Sequence, residues 1–402
     1  MTVATQQVHL RFNDAAGHPT AVRLRVTDAS GQSYAPFGRL TRFATEPGVD
    51  VGANVLLDDG PWAIIDGACE IELPTGPLKV QARKGPEFRP LDVDLVLHPG
   101  KMSFRFPMER WIDLAADGWR CGDVCCFDMS PHAALLEAGA NDLAVVDLLI
   151  REKPDSTSNI AAYSGQAPAV ASKSSLVVVN TANQSPHGRL LLLNTHRTVY
   201  PLSFVAGEKW SLIDWCDQCH RKKGLVVAED WLLRLASGPV RELLDHDFLR
   251  RVDAIRFHPG VPLTPWFEAH GRGYKLPLVA GSGKESNREL LGSWRTYAKC
   301  PTDQPFEYGA WTESIRRGET FVTNGPLLRW TFGDTLQVEA QSLTPLDRLQ
   351  LLADGEIIAE TVGPSVTLRI ESKIAASVVV RCEGSNGALA IASPIRPASR
   401  AA

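Results

Sequence analysis

Five short, almost uninterrupted apolar runs constrain this chain more than any other feature: Leu143 to Ile150, Leu176 to Val179, Leu190 to Leu193, Leu225 to Ala228 and Leu276 to Ala280. A strand that is apolar at consecutive positions has no polar face to offer water, so it must be covered on both sides. Strands of a parallel sheet flanked by helices meet that requirement. Between the runs lie stretches of helical pattern, Ser211 to Lys223 and Pro239 to Arg250. Ser130 is placed to cap a further helix, and Pro131 fits its first position. Ala133, Ala134, Leu135, Leu136 and Ala138 then extend it. The alternation predicts βα units.

The flanks read differently. Over residues 1–109, runs such as Val8 to Phe12, Val22 to Val26, Leu78 to Ala82 and Met102 to Phe106 are separated by Asp-Asp-Gly, Pro-Thr-Gly-Pro and His-Pro-Gly turns. Short strands at this spacing predict a small β-sandwich. From about residue 326 strands return, with Ala353-Asp-Gly as a hairpin turn, and predict a C-terminal β-module over 326–402. At 402 residues the chain exceeds the ~250–300 over which one core keeps growing. Three parts are therefore expected, with 110–325 between the two β regions.

Composition excludes some partners. A formal charge of −4 without a long Lys/Arg run argues against nucleic acid and anionic membrane surfaces. No apolar stretch reaches the ~18 residues of a membrane span. The opening Met1 to His9 lacks the basic and apolar regions of an export signal, so a cytoplasmic location is expected. Adjacent Cys125 and Cys126 suit reduced, buried thiols. Cys216-Asp-Gln-Cys-His220 has the spelling of a haem-attachment string, but Leu212, Cys216 and Cys219 share one helix face, which predicts packing. Gly281-Ser-Gly-Lys284 lacks the spacing of a phosphate-binding loop. The oligomeric state is left open.

One segment carries more. Trp119-Arg-Cys-Gly-Asp-Val-Cys-Cys-Phe-Asp-Met-Ser-Pro-His resembles the first motif of the carbaryl-hydrolase-like (CehA/McbA) branch of the PHP metallohydrolase superfamily. In that branch a Gly-Asp pair precedes His-x-His, a Ser/Thr-Pro step and an Ala/Leu-rich helix. Tyr34-Ala-Pro-Phe-Gly, Trp210-Ser-Leu-Ile-Asp-Trp, Gly281-Ser-Gly-Lys-Glu-Ser and Phe321-Val-Thr-Asn-Gly-Pro extend the resemblance over roughly Ala21 to Pro394. The resemblance implies an α/β fold class with flanking all-β modules, a PHP-like distorted (β/α) barrel between two small β-sandwich domains. The N-terminal one is similar to carboxypeptidase-regulatory-like modules. It also implies metal-dependent hydrolysis of ester, carbamate or phosphoester bonds, with ligands at the carboxyl ends of barrel strands.

Carried over position by position, the ligands are missing. Cys125 and Phe127 replace the histidine pair, Arg189 and Asp230 stand where histidines are implied, Arg256 where Glu is implied and Gly283 where a metal-binding Asp is implied. Fixed guanidiniums in a low-dielectric pocket repel a divalent ion. The expectation is a hydrolase homologue whose metal site is lost, a non-catalytic binding or scaffold protein with a cationic pocket. Arg189, Arg256, Lys284, Ser282 and Asn287 would line it, pairing with Asp123, Asp128, Glu229, Asp230 or Glu285, or with a small anionic ligand. No cofactor is expected. The alternative is an active hydrolase with a remodelled mononuclear site, a single divalent metal such as zinc held by Cys125, His187, Asp230 and His258. Cys125, Asp128, Glu229 and Asp230 are then the catalytic candidates.

Overall fold

A computed structural model of the protein describes residues 5–153, 155–205, 209–374 and 377–396. It is about 42% strand and 15% helix, a mostly β molecule. The N-terminal region contributes β1 (Thr5–Asn13), β2 (Val22–Asp28), β3 (Ser33–Tyr34), β4 (Asn54–Leu57), β5 (Gly60–Ile65), β6 (Ala68–Pro74), β7 (Gly76–Arg83), β8 (Leu91–Leu97) and β9 (Ser103–Pro107). They form two sheets, β6-β1-β9 and β4-β5-β2-β7-β8, with β3 on β2. Alternate residues of β1, Val8, Leu10 and Phe12, pack against Leu24 and Val26 of β2 and Val80 of β7. The period of two that marks these strands in the sequence is the face they bury.

The central region supplies β10 (Trp119–Cys126), α1 (Pro131–Ala140), β11 (Val145–Ile150), β12 (Val170–Ala171), β13 (Leu176–Gln184), β14 (Arg189–Leu193), α2 (Leu212–Arg221), β15 (Leu225–Ala228), α3 (Trp231–Ala236), α4 (Arg241–Leu244), α5 (His246–Leu249), β16 (Ala254–Arg256), α6 (Thr264–Gly271), β17 (Leu278–Val279), β18 (Arg295–Lys299), α7 (Tyr308–Arg317) and β19 (Thr320–Thr323). The C-terminal region adds β20 (Leu327–Phe332), β21 (Leu336–Ala353), β22 (Glu356–Ser372), β23 (Val379–Gly384) and β24 (Leu389–Ala392). All of these strands belong to one sheet, ordered β17-β16-β15-β14-β13-β11-β10-β18-β19-β24-β23-β21-β20, with β12 on β13 and β22 on β21.

The expected α/β class, with a PHP-like (β/α) barrel between two separate sandwiches, is therefore corrected. Four neighbouring pairs in this sheet run parallel, β10–β11, β11–β13, β15–β16 and β16–β17; the other pairs are antiparallel. The apolar run Leu190 to Leu193 misleads because burial on both faces does not fix strand direction. A tight turn joins β13 to β14, with Ser185 N–H donating to the Gly188 carbonyl at 3.0 Å, and leaves no room for a crossover helix. The stretch Pro239 to Arg250 splits into α4 and α5, because the Asp245 carboxylate accepts from the N–H groups of Asp247 and Phe248 and starts a new turn. β24 pairs with β19, so the sheet continues across residue 326.

The sheet curls until β17 lies beside β19. Hydroxyls bridge the seam: Thr320 Oγ1 donates to the Leu278 carbonyl at 3.1 Å, and the Leu278 N–H donates to Ser393 Oγ at 2.9 Å. Val124, Leu149, Val178, Leu191, Val227 and Val279 fill the concave side. Leu192, Trp215, Cys216, Cys219 and Val226 pack on the convex side under the helices. Helix α7 lays Tyr308, Trp311 and Ile315 against the concave core.

One ionisable group sits in that core. Asp147 is fully buried; it accepts from Tyr308 Oη at 2.5 Å and Asn180 Nδ2 at 2.9 Å. Burial, offset in part by these two donors, pushes its pKa up to about 7. The native state thus retains a proton that the unfolded chain releases near pH 4, and its stabilising effect fades as pH rises through 7. Between pH 5 and pH 8 this one group should cost about 2–3 kcal/mol of stability. In urea unfolding, Asp147→Asn should flatten that part of the pH dependence; an unchanged slope would show that Asp147 is ionised in the fold.

Candidate functional site

The carboxyl ends of β10, β15 and β16 meet the start of β14 at one end of the concave side. Because β14 runs antiparallel to β15, with Leu190 opposite Ala228, its first residue Arg189 lies beside Glu229. The Glu229 N–H donates to the Arg189 carbonyl at 2.9 Å and locks this register. Glu229 Oε1 accepts from Arg256, the last residue of β16, and Oε2 accepts from Arg189 at 3.4 Å. The carboxylate is 5% exposed, Arg256 11% and Arg189 29%. Arg256 is thus the inner partner and Arg189 the outer one. Arg256 also donates to the Gly281 carbonyl at 3.1 Å.

Asp230 answers the next positive charges. One oxygen accepts from the Arg189 N–H at 2.8 Å, the other from Arg234 Nε at 2.5 Å. Arg234 lies one turn along α3 and was not singled out in the sequence, although the Asp-to-Arg spacing of four is a readable helix pair. His258 Nε2 is 2.6 Å from the Glu229 carbonyl. Burial, reinforced by neighbouring Arg256, lowers its pKa, so the neutral ring donates that bond at pH 7.

Asp123 organises the other side of the cluster. It is fully buried and accepts from the Cys125 N–H at 3.0 Å, Ser282 Oγ at 2.5 Å and the Gly292 N–H at 2.8 Å. Burial raises its pKa, and these donors oppose the rise. The approach explains Gly281: a Cβ there would stand 2.4 Å from Asp123 Oδ1 and 2.6 Å from the Cys125 nitrogen. Ser282 therefore spends its hydroxyl on Asp123 and not on a pocket. Cys125 is fully buried, and burial pushes its thiol up to about 12 against the pull of Arg256. A thiol in that state is a poor nucleophile.

The remaining candidates face elsewhere. Asp128 pairs with Arg151 at 2.8 Å, and Arg151 reaches Glu285 at 2.9 Å with its guanidinium 4.6 Å from the Phe127 ring centroid. Arg151 directly follows the apolar run Leu143 to Ile150, a strand-end position that is legible in the sequence. Asn287 staples the N-terminal region: its Nδ2 donates to the carbonyls of Ala44 and Asp50 at 2.9 and 3.0 Å, and its Oδ1 accepts from the Gly52 N–H at 2.8 Å. His187 lies 3.6 Å from Glu242, 40% exposed. Of the proposed zinc donors, His187, Asp230 and His258 are engaged with different partners, and Cys125 is a fully buried thiol. Among the described residues no three His, Cys, Asp or Glu groups are arranged to hold a metal ion, and this donor set does not fit one.

No protein-family model matches the chain, and no curated protein matches it. Among solved structures, an FMN-binding β-glucuronidase from Facaelibacterium prausnitzii L2-6 aligns over 98% of this chain and 73% of its own, at 8% identity and a TM-score of 0.22. The four N-terminal Ig domains of Dscam1 isoform 8.4 align over 99% and 95%, at 9% identity and a TM-score of 0.14. Both scores are too low to carry an argument about fold or function.

Lys284, expected in the pocket, is fully buried and turned toward α1. Its Nζ donates to the carbonyls of Ser286 and Glu289 at 3.0 and 2.7 Å and lies 3.7 Å from Glu137, also fully buried. Glu137 in turn accepts from the Ala53 N–H at 3.1 Å, so the pair joins the N-terminal region to the central sheet. Lys284→Met would strand the Glu137 charge and should cost about 3–5 kcal/mol in urea unfolding, with part recovered in Lys284→Met/Glu137→Gln. A loss below ~1 kcal/mol would mean that the pair is solvated.

Proposed function

We propose that the protein is a non-catalytic binding protein whose cationic mouth takes a small carboxylate between Arg189 and Arg234. A cavity of about 650 Å³ opens over these two side chains, walled on its apolar side by Leu233, Pro239 and Val240. The observation that carries the reading is the unequal sharing of Glu229. Arg256 holds the inner oxygen, while Arg189 makes only a 3.4 Å contact and stays 29% exposed, so part of its donor fork faces the cavity. The cluster as a whole is balanced, three guanidiniums against Glu229, Asp230 and Asp123, so a ligand would be held by that free part of the fork. A ligand carboxylate would meet those donors, and a guanidinium fork matches carboxylate geometry.

The same arrangement argues against the hydrolase alternative. Glu229 and Asp230, the two carboxylates best placed for chemistry, are already committed to arginine. The sequence resemblance to the carbaryl-hydrolase-like branch supports a hydrolase ancestry, in which arginine has taken the place of metal. No helix among the described residues is long and apolar enough to cross a membrane.

Benzoate, a carboxylate with an apolar body, is a suitable probe for calorimetric titration at low ionic strength. It should bind with one site per chain, and Arg189→Met/Arg234→Met should weaken it by at least ~10-fold, a loss of charge-assisted hydrogen bonds. Unchanged affinity in that variant, or metal-dependent turnover of aryl esters by the wild-type protein, would overturn the reading.

A further inference from the structure

The opposite end of the curled sheet carries a second cleft, of about 530 Å³, remote from the mouth. Its position follows from the strand directions. Lys299 ends β18 and pairs with Trp119 at the start of β10, the end away from Asp123 and Cys125. Lys275 precedes β17, Arg316 and Arg317 close α7, and Arg396 follows β24.

Two of these five cations are neutralised in place. Arg316 pairs with Glu313 at 2.6 Å and Asp253 at 3.3 Å, and Arg317 pairs with Glu319 at 2.8 Å. Lys275, Lys299 and Arg396 have no carboxylate within ion-pair distance among the described residues, and all three are exposed at the cleft. The Lys299 ammonium lies 5.3 Å from the Trp119 ring centroid, a contact that leaves its charge uncancelled. Trp119 also meets Trp330 edge to face, with centroids 4.8 Å apart, and half-buried Trp330 forms part of the wall. Three unpaired cations thus stand in this cleft beside an aromatic surface.

We infer that this cleft binds a phosphorylated small molecule of up to mononucleotide size, its phosphates on Lys275, Lys299 and Arg396 and its flat portion against Trp330. Several like charges held in one concavity repel one another, and a multiply charged anion relieves all of them together. A single carboxylate would balance only one. The volume falls in the range of small-molecule sites, where a few polar groups fix orientation and an apolar wall supplies contact area.

The test is calorimetric titration of the full chain with inorganic pyrophosphate and with ADP at low ionic strength. Pyrophosphate should bind at one site, and Lys275→Met/Lys299→Met should weaken it by at least ~10-fold, while Arg189→Met/Arg234→Met leaves it within ~2-fold. Both lysines are exposed, so the double variant should keep the wild-type circular dichroism; Arg396→Met alone provides a second variant, expected to lower affinity by ~3-fold or more. ADP should bind more tightly than pyrophosphate. Absence of pyrophosphate binding, or affinity unchanged by both cleft variants, would overturn the site; so would loss of binding only in the Arg189/Arg234 variant. ADP binding weaker than pyrophosphate would overturn the role of Trp330.

Discussion

Glu229 is a carboxylate almost removed from water and divided between two guanidiniums that arrive from different strands. Withdrawing such a charge from solvent costs several kcal/mol per ion unless every lone pair is answered. Arg256 and Arg189 answer the side chain, and His258 answers the carbonyl of the same residue. Satisfying one residue therefore fixes the ends of β15 and β16, the start of β14 and, through Arg256 and Gly281, the loop after β17. Asp123 repeats the logic across the cluster, drawing Cys125, Ser282 and Gly292 together. The two acids set the shape of the mouth.

Beneath them the concave core is sealed by branched aliphatic side chains and, at the far end, by α7. The charged cluster is consequently isolated from the interior, and its free donors face outward, toward the cavity over Arg189 and Arg234. The same isolation leaves the far end of the sheet electrostatically independent, with its own cations gathered where α7 and β18 end and β17 begins.

Much of the fold was legible in the chain because local rules and tertiary packing agree. Ser130 and Pro131 start α1 as their types require, with Ser130 Oγ accepting from the Ala133 N–H. Asp354 and Gly355 take positive φ in the β21–β22 turn, as Asp-Gly hairpins do. The architecture was misread where one pattern serves two structures. Consecutive apolar residues in Leu190 to Leu193 state burial on both faces, and an antiparallel strand in a curled sheet is buried as thoroughly as a parallel one. The candidate site was readable in part: Arg189 and Arg256 share Glu229, whereas Lys284, Ser282 and Asn287 point to Glu137, Asp123 and the N-terminal region. Side-chain direction in a loop is set by distant partners, and a sequence does not print those.

The account rests on Glu229 being held by both guanidiniums at once. Urea unfolding of Glu229→Gln, Arg256→Met and Glu229→Gln/Arg256→Met tests this most directly. Each single change should cost about 3–5 kcal/mol, and the double should fall short of their sum by more than ~1.5 kcal/mol, since it strands less uncompensated charge. Single losses within ~0.5 kcal/mol, or strict additivity, would contradict it.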